Sequence, residues 1–96
     1  MLRVVQTDVF IAWLANLNDD RAVARIVARI RRLELGNAGD IRSVGEGVSE
    51  MRIDYGPGYR IYFTRRGKTI TILLCGGDKK TQRRDILTAQ RLAKEV

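Results

Sequence analysis

Four segments between residues 41 and 75 alternate apolar with polar side chains, and glycine turns separate the last three of them. A period of two residues is typical of strands that bury one face, and short glycine turns join strands that run antiparallel. The turns are Gly56-Pro57-Gly58 and Arg66-Gly67. This pattern predicts an antiparallel meander whose strands cover residues 41–44, 48–55, 59–65 and 69–75.

The two turns also predict how the strands align. The first turn places Ile53 opposite Ile61, and the second, taken as a two-residue turn, places Phe63 opposite Ile70. Both turns assign the same residues to each face, and a slip of one residue would exchange the faces. The predicted apolar face carries Met51, Ile53, Ile61, Phe63, Ile70, Ile72 and Leu74. The other face, expected to remain uncovered, carries Glu50, Arg52, Asp54, Arg60, Tyr62 and Thr71.

The N-terminal part of the chain has the spacing of amphipathic helices. After a candidate strand at residues 2–6, Thr7 is a suitable N-cap for a helix whose apolar residues are Phe10, Trp13, Leu14 and Leu17. A second helix follows Asn18-Asp19-Asp20 and stops at Gly36-Asn37, with a predicted buried stripe of Val23, Ile26, Val27, Ile30 and Leu33. We expect these helices to form a hairpin that covers the apolar face of the sheet.

A last helix is predicted from the basic cluster near residue 79 to about residue 94, with Ile86, Ala89 and Ala93 as its contact stripe. The length of 96 residues suits one modest core. We therefore predict a single α+β domain over residues 1–96, in which an N-terminal helical hairpin packs on an antiparallel β-sheet followed by a C-terminal helix.

Positive charge is concentrated in the second half of the chain. The net charge is +7, and residues 49–96 contribute 11 basic and 5 acidic side chains. Such a distribution favours a polyanionic partner, either nucleic acid or an acidic protein, over the alternative of a merely solvated surface. We expect a cytoplasmic protein without a membrane partner, because the chain has one cysteine and no apolar run near the roughly 18 residues of a membrane span.

The strongest local signal is a cluster of four cations, Lys79, Lys80, Arg83 and Arg84, directly after Gly76-Gly77-Asp78. Cations at a helix start oppose the helix dipole and cost about 0.3–1 kcal/mol each. Free backbone N–H groups, a glycine turn and lysines would together suit an anion such as a phosphate. The alternative is a simple turn between a strand and a helix.

Three cations are predicted to meet beside this helix start. Arg52 and Arg60 lie on neighbouring predicted strands of the charged face, and Lys79 follows the last strand. Together they suit a backbone phosphate, or the dianionic phosphorane that forms when a ribose 2′-oxygen attacks it. The competing interpretation is an Asp54–Arg60 ion pair with Arg52 in solvent.

Proton transfer at such a site would need residues other than histidine, because the chain has none. Lys79 is the candidate general acid, since neighbouring cations make an ammonium group release its proton more readily. Asp54 or Tyr62 is a candidate for activating the 2′-hydroxyl, and the sequence does not choose between them. Neither a metal nor another cofactor is expected, and Cys75 is interpreted as a packing residue.

A second basic stripe runs along the second predicted helix. Its members recur every three or four residues and are Arg21, Arg25, Arg29 and Arg32. Such a ridge is most often a solvated face, and its functional interpretation is a docking stripe for ribosomal RNA or for an acidic partner.

Two stretches of this sequence resemble a known family. Residues 44–63, with Tyr59-Arg60-Ile61-Tyr62 at their end, and residues 73–82, with Gly76-Gly77-Asp78-Lys79, resemble addiction-module killer proteins. These belong to the RelE/ParE toxin superfamily, in its HigB-like or phage-derived Gp49-like branch. The segments Trp13-Leu14 and Gly36-Asn37-Ala38-Gly39-Asp40 also resemble that branch, so the similarity extends over nearly the whole chain.

The resemblance implies a RelE-like fold with a twisted sheet, and the toxin of a type II toxin-antitoxin system. Such a toxin cleaves mRNA, commonly on the ribosome, and is silenced by an antitoxin from the adjacent gene, usually a helix-turn-helix protein. By position, Arg60 matches the sheet arginine that stabilises the scissile phosphate, and Lys79 falls near a basic residue after the last strand. Gln82 belongs to the Lys-Ser-Thr-Gln signature of the branch, in which Lys80 replaces the serine. The tyrosine that serves RelE itself is missing near Asp85.

The sequence thus leads to a metal-independent mRNA endoribonuclease as the expected function. Its expected catalytic residues are Arg60, Lys79 and Arg52, and its expected RNA-binding residues are Asp54, Tyr62, Lys80, Gln82, Arg83 and Arg84. The alternatives are a ParE-like inhibitor of DNA gyrase on the same scaffold and a nucleic-acid-binding module without enzymatic activity.

Overall fold

The computed structural model describes residues 2–96 and contains five strands, three α-helices and one short 3₁₀ helix. The strands are β1 (Arg3–Gln6), β2 (Ile41–Ser43), β3 (Val48–Ile53), β4 (Tyr59–Arg66) and β5 (Ile70–Gly77). The helices are α1 (Asp8–Ala15), α2 (Asp20–Glu34), the 3₁₀ helix (Lys79–Thr81) and α3 (Gln82–Glu95). The predicted α+β class is confirmed, and the arrangement is consistent with a RelE-like fold. None of the helices within residues 2–96 has the length and apolar character that crossing a bilayer requires.

The sheet has the strand order β1-β5-β4-β3-β2. Strands β2 to β5 pair antiparallel in sequence order, as the alternating pattern predicted. Strand β1 adds to the far edge in parallel with β5, with Arg3 opposite Ile70. The sequence predicted β1 as a strand but not its partner, because the two paired strands are far apart in the chain and no turn connects them.

The two N-terminal helices begin and end close to the predicted signals. The Thr7 hydroxyl accepts a hydrogen bond from the Phe10 N–H at 3.1 Å, and the Asp19 carboxylate caps α2. Gly36, with φ of +88°, adopts the left-handed conformation that ends α2. The predicted stripe of α2 is wrong at Val27, which is 50% exposed.

Each of the two sheet faces is covered by helix. One core packs α1 and α2 on the sheet and contains Phe10, Ile26, Ile30, Leu33, Met51, Ile53, Ile61, Phe63 and Leu73. The other packs α3 on the opposite face and contains Val48, Tyr62, Leu74, Cys75, Ala89, Leu92 and Ala93. The prediction of an uncovered charged face is therefore wrong over most of its length, since the helix after β5 returns across it.

The register between β3 and β4 differs from the predicted one by two residues. Ile53 lies opposite Tyr59, and Arg52 lies opposite Arg60. The connecting loop spans residues 54–58, because the Tyr55 N–H already bonds back to the Ile53 carbonyl at 2.8 Å. An even shift leaves every side chain on its predicted face. It nevertheless changes the pairs, so Arg60 faces Arg52 instead of Asp54.

The register between β4 and β5 differs by an odd number of residues and exchanges the faces of β5. Phe63 lies opposite Leu73 instead of Ile70, and the turn comprises residues 67–69. Leu73 therefore joins the core under α1 and α2, and Leu74 joins the core under α3. A bulge between Tyr62 and Phe63 shifts the register again nearer the end of β5. The predicted faces of Ile72 and Leu74 are wrong because the turn has three residues instead of two.

Gly76 and Gly77 are the last residues of β5, and they do not form the predicted turn. A Cβ atom on Gly76 would overlap the ring of Trp13 from α1. A Cβ atom on Gly77 would overlap the carboxylate of Asp85 from α3. The pair is glycine because one helix packs closely on each side of the strand at this point.

We expect the substitution Gly76→Ala to lower the free energy of unfolding by about 1–3 kcal/mol, the usual cost of overpacking a core. The reason is the overlap with the Trp13 ring, so the cost in a Trp13→Leu background should be smaller. Urea denaturation of the four proteins of this double-mutant cycle measures both quantities. An equal loss in the two backgrounds would contradict the proposed packing.

Candidate functional site

Two arginines face each other where β3 and β4 approach their connecting loop. Arg52 and Arg60 are directly opposite across the strand pair, so their side chains leave the same face of the sheet. They line a cavity of about 150 Å³ together with Ile53, Asp54, Gly58 and Tyr59. None of the residues that line this cavity belongs to α3.

Lys79 lies at the same loop. Its backbone N–H points to the Pro57 carbonyl at 3.4 Å. A Cβ atom built on Gly58 would lie 3.3 Å from Arg60 Nη1 and 3.6 Å from Lys79 Cβ. Both side chains are therefore close to Gly58. The structure thus brings Arg52, Arg60 and Lys79 around one loop.

Arg60 is held from within the protein and only 9% exposed. Its Nη1 donates to the Gly58 carbonyl at 2.8 Å, and its Nε lies 3.5 Å from Glu50 Oε2. The Nε is buried without a hydrogen bond, and within residues 2–96 the Nη2 makes none either. The guanidinium group is therefore fixed in place while part of its donor capacity remains unused.

Arg52 has a different environment. Its Nε and Nη2 bond to the two carboxylate oxygens of Asp40 at 3.1 and 3.2 Å, and the pair is exposed to solvent. The hydrogen bonds and charge of Asp40 raise the pKa of Arg52. Among the described residues Asp54 and Arg60 form no ion pair, so the Asp54–Arg60 pair of the competing interpretation is wrong. Arg60 lies beside Glu50, and Arg52 pairs with Asp40. Asp54 is exposed and lines the cavity.

The acidic residue that organises this region is Glu50, which the alternating pattern places on the charged face without indicating a role. It has no solvent exposure and accepts hydrogen bonds from Arg42 Nε at 3.0 Å, the Tyr62 hydroxyl at 3.0 Å and Gln82 Nε2 at 2.9 Å. With the nearby Arg60, these contacts connect β2, β3, β4 and α3 around one carboxylate. A single glutamate in an alternating strand carries no local signal that it will be buried.

Burial alone would raise the pKa of Glu50, but the hydrogen bonds from Gln82, Tyr62 and Arg42 outweigh it and lower the pKa. Burial and the bond to Glu50 raise the pKa of Tyr62, so its phenol keeps its proton. The Tyr62 ring lies beneath α3 and offers no open stacking surface. In this structure Tyr62 and Gln82 both serve as partners of Glu50.

The start of the C-terminal helical segment is capped internally. The Asp78 carboxylate accepts hydrogen bonds from the backbone N–H groups of Lys80 at 2.8 Å and Thr81 at 3.3 Å, and the Thr81 side chain completes a capping box. The backbone donors that the sequence analysis expected to be free for an anion are therefore occupied. Asp85, buried in the first turn of α3, accepts a further bond from the Thr81 hydroxyl.

The remaining cations of the cluster point elsewhere. Lys80 on the 3₁₀ helix and Arg83 and Arg84 on α3 are exposed, and none of them lines the cavity beside Gly58. Burial raises the pKa of the Cys75 thiol to about 12, which makes it a poor nucleophile. Within residues 2–96, no three histidine, cysteine or acidic residues are close enough to hold a metal ion.

The arginine stripe of α2 also contributes to this region. Arg29 donates from Nη1 to the Arg52 carbonyl at 2.6 Å and from Nη2 to the Ala38 carbonyl at 3.1 Å. The Arg25 guanidinium lies 4.7 Å from the centre of the Tyr55 ring. Two members of the stripe therefore tie the helical hairpin to the segments that carry the site, which a fully solvated ridge would not do.

Residues 12–94 match the sequence profile of the family described as phage-derived protein Gp49-like (DUF891). The chain belongs to the Gp49-like family. This is a family of addiction-module toxins, so the coarse functional class expected from the sequence is supported, together with an antitoxin as partner. An uncharacterized protein of Haemophilus influenzae is 50% identical to this Gp49-like protein over 95 residues, which are 99% of this chain and 96% of the relative.

Glu50 should make the stability of this Gp49-like protein depend on pH. Folding lowers the pKa of Glu50 below its ordinary value of 4.5. The stability that ionised Glu50 contributes is therefore complete above pH 4.5 and is lost as the pH falls below that value. We expect Glu50→Gln to lower the free energy of unfolding by about 3 kcal/mol near neutral pH. The substitution removes the negative charge that lies beside the buried Nε of Arg60. The difference in the free energy of unfolding between the unaltered protein and Glu50→Gln should become smaller as the pH falls.

Urea denaturation at a series of pH values from about 3 to about 7 measures this difference. Asp54→Asn is the matched control, since it removes an exposed carboxylate from the same sheet region and should change stability little. A Glu50→Gln protein as stable as the unaltered one at neutral pH would contradict the assigned network.

Proposed function

We propose that this protein is an endoribonuclease toxin that cleaves mRNA at the cavity beside Gly58. The supporting observation is that Arg52 and Arg60 line that cavity, while Lys79 lies against the same loop at Pro57 and Gly58. Two arginines in a concave site with a lysine at the adjoining loop suit the phosphodiester of an RNA backbone, and membership of a toxin family agrees with a harmful activity. The finer assignment to RelE-like or HigB-like nucleases is part of this proposal.

Arg60 is the proposed phosphate anchor. A guanidinium group that is fixed before the substrate arrives needs little reorganisation when charge develops on the phosphate oxygens. Its contacts with Gly58 and Glu50 supply that fixation, and its Nη2 is the proposed donor to the phosphate. Arg52 is proposed to exchange its exposed pairing with Asp40 for a second phosphate oxygen.

The proposed reaction is an internal transfer. The ribose 2′-oxygen attacks the adjacent phosphorus, the bond from phosphorus to the 5′-oxygen breaks, and the products end in a 2′,3′-cyclic phosphate and a 5′-hydroxyl. Asp54 is proposed to take the proton from the 2′-hydroxyl, and Lys79 to give a proton to the leaving 5′-oxygen. The exposed position of Asp54 at the cavity favours it over the buried Tyr62 for this role.

The toxin family and the positive charge of the chain also support a proposal for where and on what the protein acts. An antitoxin from the adjacent gene, expected to be a helix-turn-helix protein, would hold the toxin inactive in the cytoplasm. The released toxin would act on mRNA at the ribosome, whose RNA is a strong attractor for a protein of charge +7. Gln82 is proposed to act through Glu50, as a positioning residue for Arg60.

We expect Arg60→Ala to reduce RNA cleavage by about 100-fold to 1000-fold, the usual effect of removing one donor to a transition-state oxyanion. Purified protein is added to a cell-free translation reaction, and the transcript ends are mapped for 2′,3′-cyclic phosphate. Arg65→Ala is the matched control, because Arg65 is an exposed arginine on the same strand, away from the cavity. It should cleave like the unaltered protein.

Intact transcripts with the unaltered protein would overturn the proposal. A positive gyrase-cleavage assay in that case would favour a ParE-like inhibitor, and unchanged growth on expression would favour a binding module.

The choice between Asp54 and Tyr62 is tested by a pair of substitutions. Asp54→Asn should lose cleavage while the free energy of unfolding stays nearly constant, since the side chain is exposed. Tyr62→Phe should lose about 1 kcal/mol of stability, the contribution of a typical buried hydrogen bond, and should retain the larger share of cleavage. Single-turnover cleavage and urea denaturation measure the two effects. Full activity of Asp54→Asn would contradict its role.

A further inference from the structure

The outer face of α3 carries a surface that is distinct from the phosphate cavity. Two cavities of about 500 Å³ and about 400 Å³ lie along the helix and share Arg83 and Leu87 as lining residues. Residues 83 and 87 are four apart on a helix, so they form one ridge between the cavities. We call this region the Leu87 surface, formed by Arg42, Lys80, Arg83, Arg84, Ile86 and Leu87.

The Leu87 surface combines an apolar centre with unpaired positive charge. Leu87 is 64% exposed, and Ile86 beside it is only partly buried. Within residues 2–96, neither Lys80 nor Arg83 forms an ion pair. None of the residues that line these two cavities lines the cavity of Arg52 and Arg60. Of the residues that line these two cavities, the proposed cleavage reaction uses only Gln82, which positions Arg60 through Glu50.

The chemistry of the surface selects among three possible occupants. RNA needs phosphate-binding cations and gains little from an exposed aliphatic side chain away from a stacking ring. A second copy of this chain would bring the same cations against each other in a symmetric contact. A protein segment that carries both acidic and apolar side chains matches the cations and the leucine together.

We propose that the Leu87 surface is the docking site of the antitoxin. An acidic amphipathic segment of that protein places apolar side chains in the cavities on either side of Leu87, and carboxylates on Arg83 and Lys80. This inference rests on the antitoxin partnership in the proposed function, and it adds the face, the anchor and the chemistry of the bound segment. It also assigns Lys80, Arg83 and Arg84 to a protein partner in preference to RNA.

The test uses the purified product of the open reading frame adjacent to the gene as the probe, titrated against the full chain in a calorimeter. Leu87→Ala should weaken binding by about tenfold or more, as expected for the central anchor of an interface. Arg83→Ala should weaken it too and reduce its dependence on salt. Ile11→Ala is the matched control, because Ile11 is a 49% exposed apolar residue on α1, and it should bind like the unaltered chain.

A second readout separates this proposal from the proposed function. Leu87→Ala should still arrest growth when expressed alone, but co-expression of the adjacent gene should rescue growth less well than for the unaltered chain. Alanine favours helix, so the variant should keep its circular dichroism spectrum and thermal midpoint.

Four results would overturn the docking site. Antitoxin binding that is unchanged in Leu87→Ala and Arg83→Ala would place the interface elsewhere and leave the nuclease proposal standing. A loss of binding to a short single-stranded RNA in Arg83→Ala, with antitoxin binding intact, would assign the surface to RNA. Self-association that disappears in Leu87→Ala would assign it to a second copy. Absence of any binding by the unaltered chain would overturn the docking site together with the antitoxin partnership.

Discussion

The buried carboxylate of Glu50 is the interaction on which the surrounding architecture depends. A charge without solvent contact is tolerated only when several donors surround it, and here they come from β2, β4 and α3. The same carboxylate lies beside the Nε of Arg60, which is also buried. One network therefore contacts both α3 and Arg60, so that the fold and the candidate site share these interactions.

The close approach of the helices depends on a second constraint, at the end of β5. Gly76 and Gly77 let Trp13 and Asp85 lie directly against the strand from opposite sides. The strand then leads straight into a capped 3₁₀ turn that begins with Lys79. This short route from β5 to α3 brings Lys79 to the loop between β3 and β4, although the two segments are not neighbours in the chain.

The positive charge of the chain is divided between two surfaces with different chemistry. Around Gly58 two arginines line a small cavity, and one of them, Arg60, is held from inside the protein by the Gly58 carbonyl. Around Leu87 the cations surround an exposed aliphatic side chain. The first arrangement suits a phosphate and the second suits an acidic, partly apolar protein segment, which is consistent with a toxin that has both a substrate and an antitoxin.

The sequence by itself determined the features that arise from neighbouring residues: the alternating strands, the cap at Thr7 and the left-handed end of α2 at Gly36. Local sterics and hydrogen bonds suffice for these. Only the tertiary structure decided the register of β5, the burial of Tyr62 and Glu50, and the separation of Arg83 from Lys79. A turn of three residues changed the parity of β5, a bulge shifted the register again near its end, and the return of α3 determined which charged side chains lost water. The register of β5 and the position of α3 depend on packing between distant segments, which a local sequence pattern does not reveal.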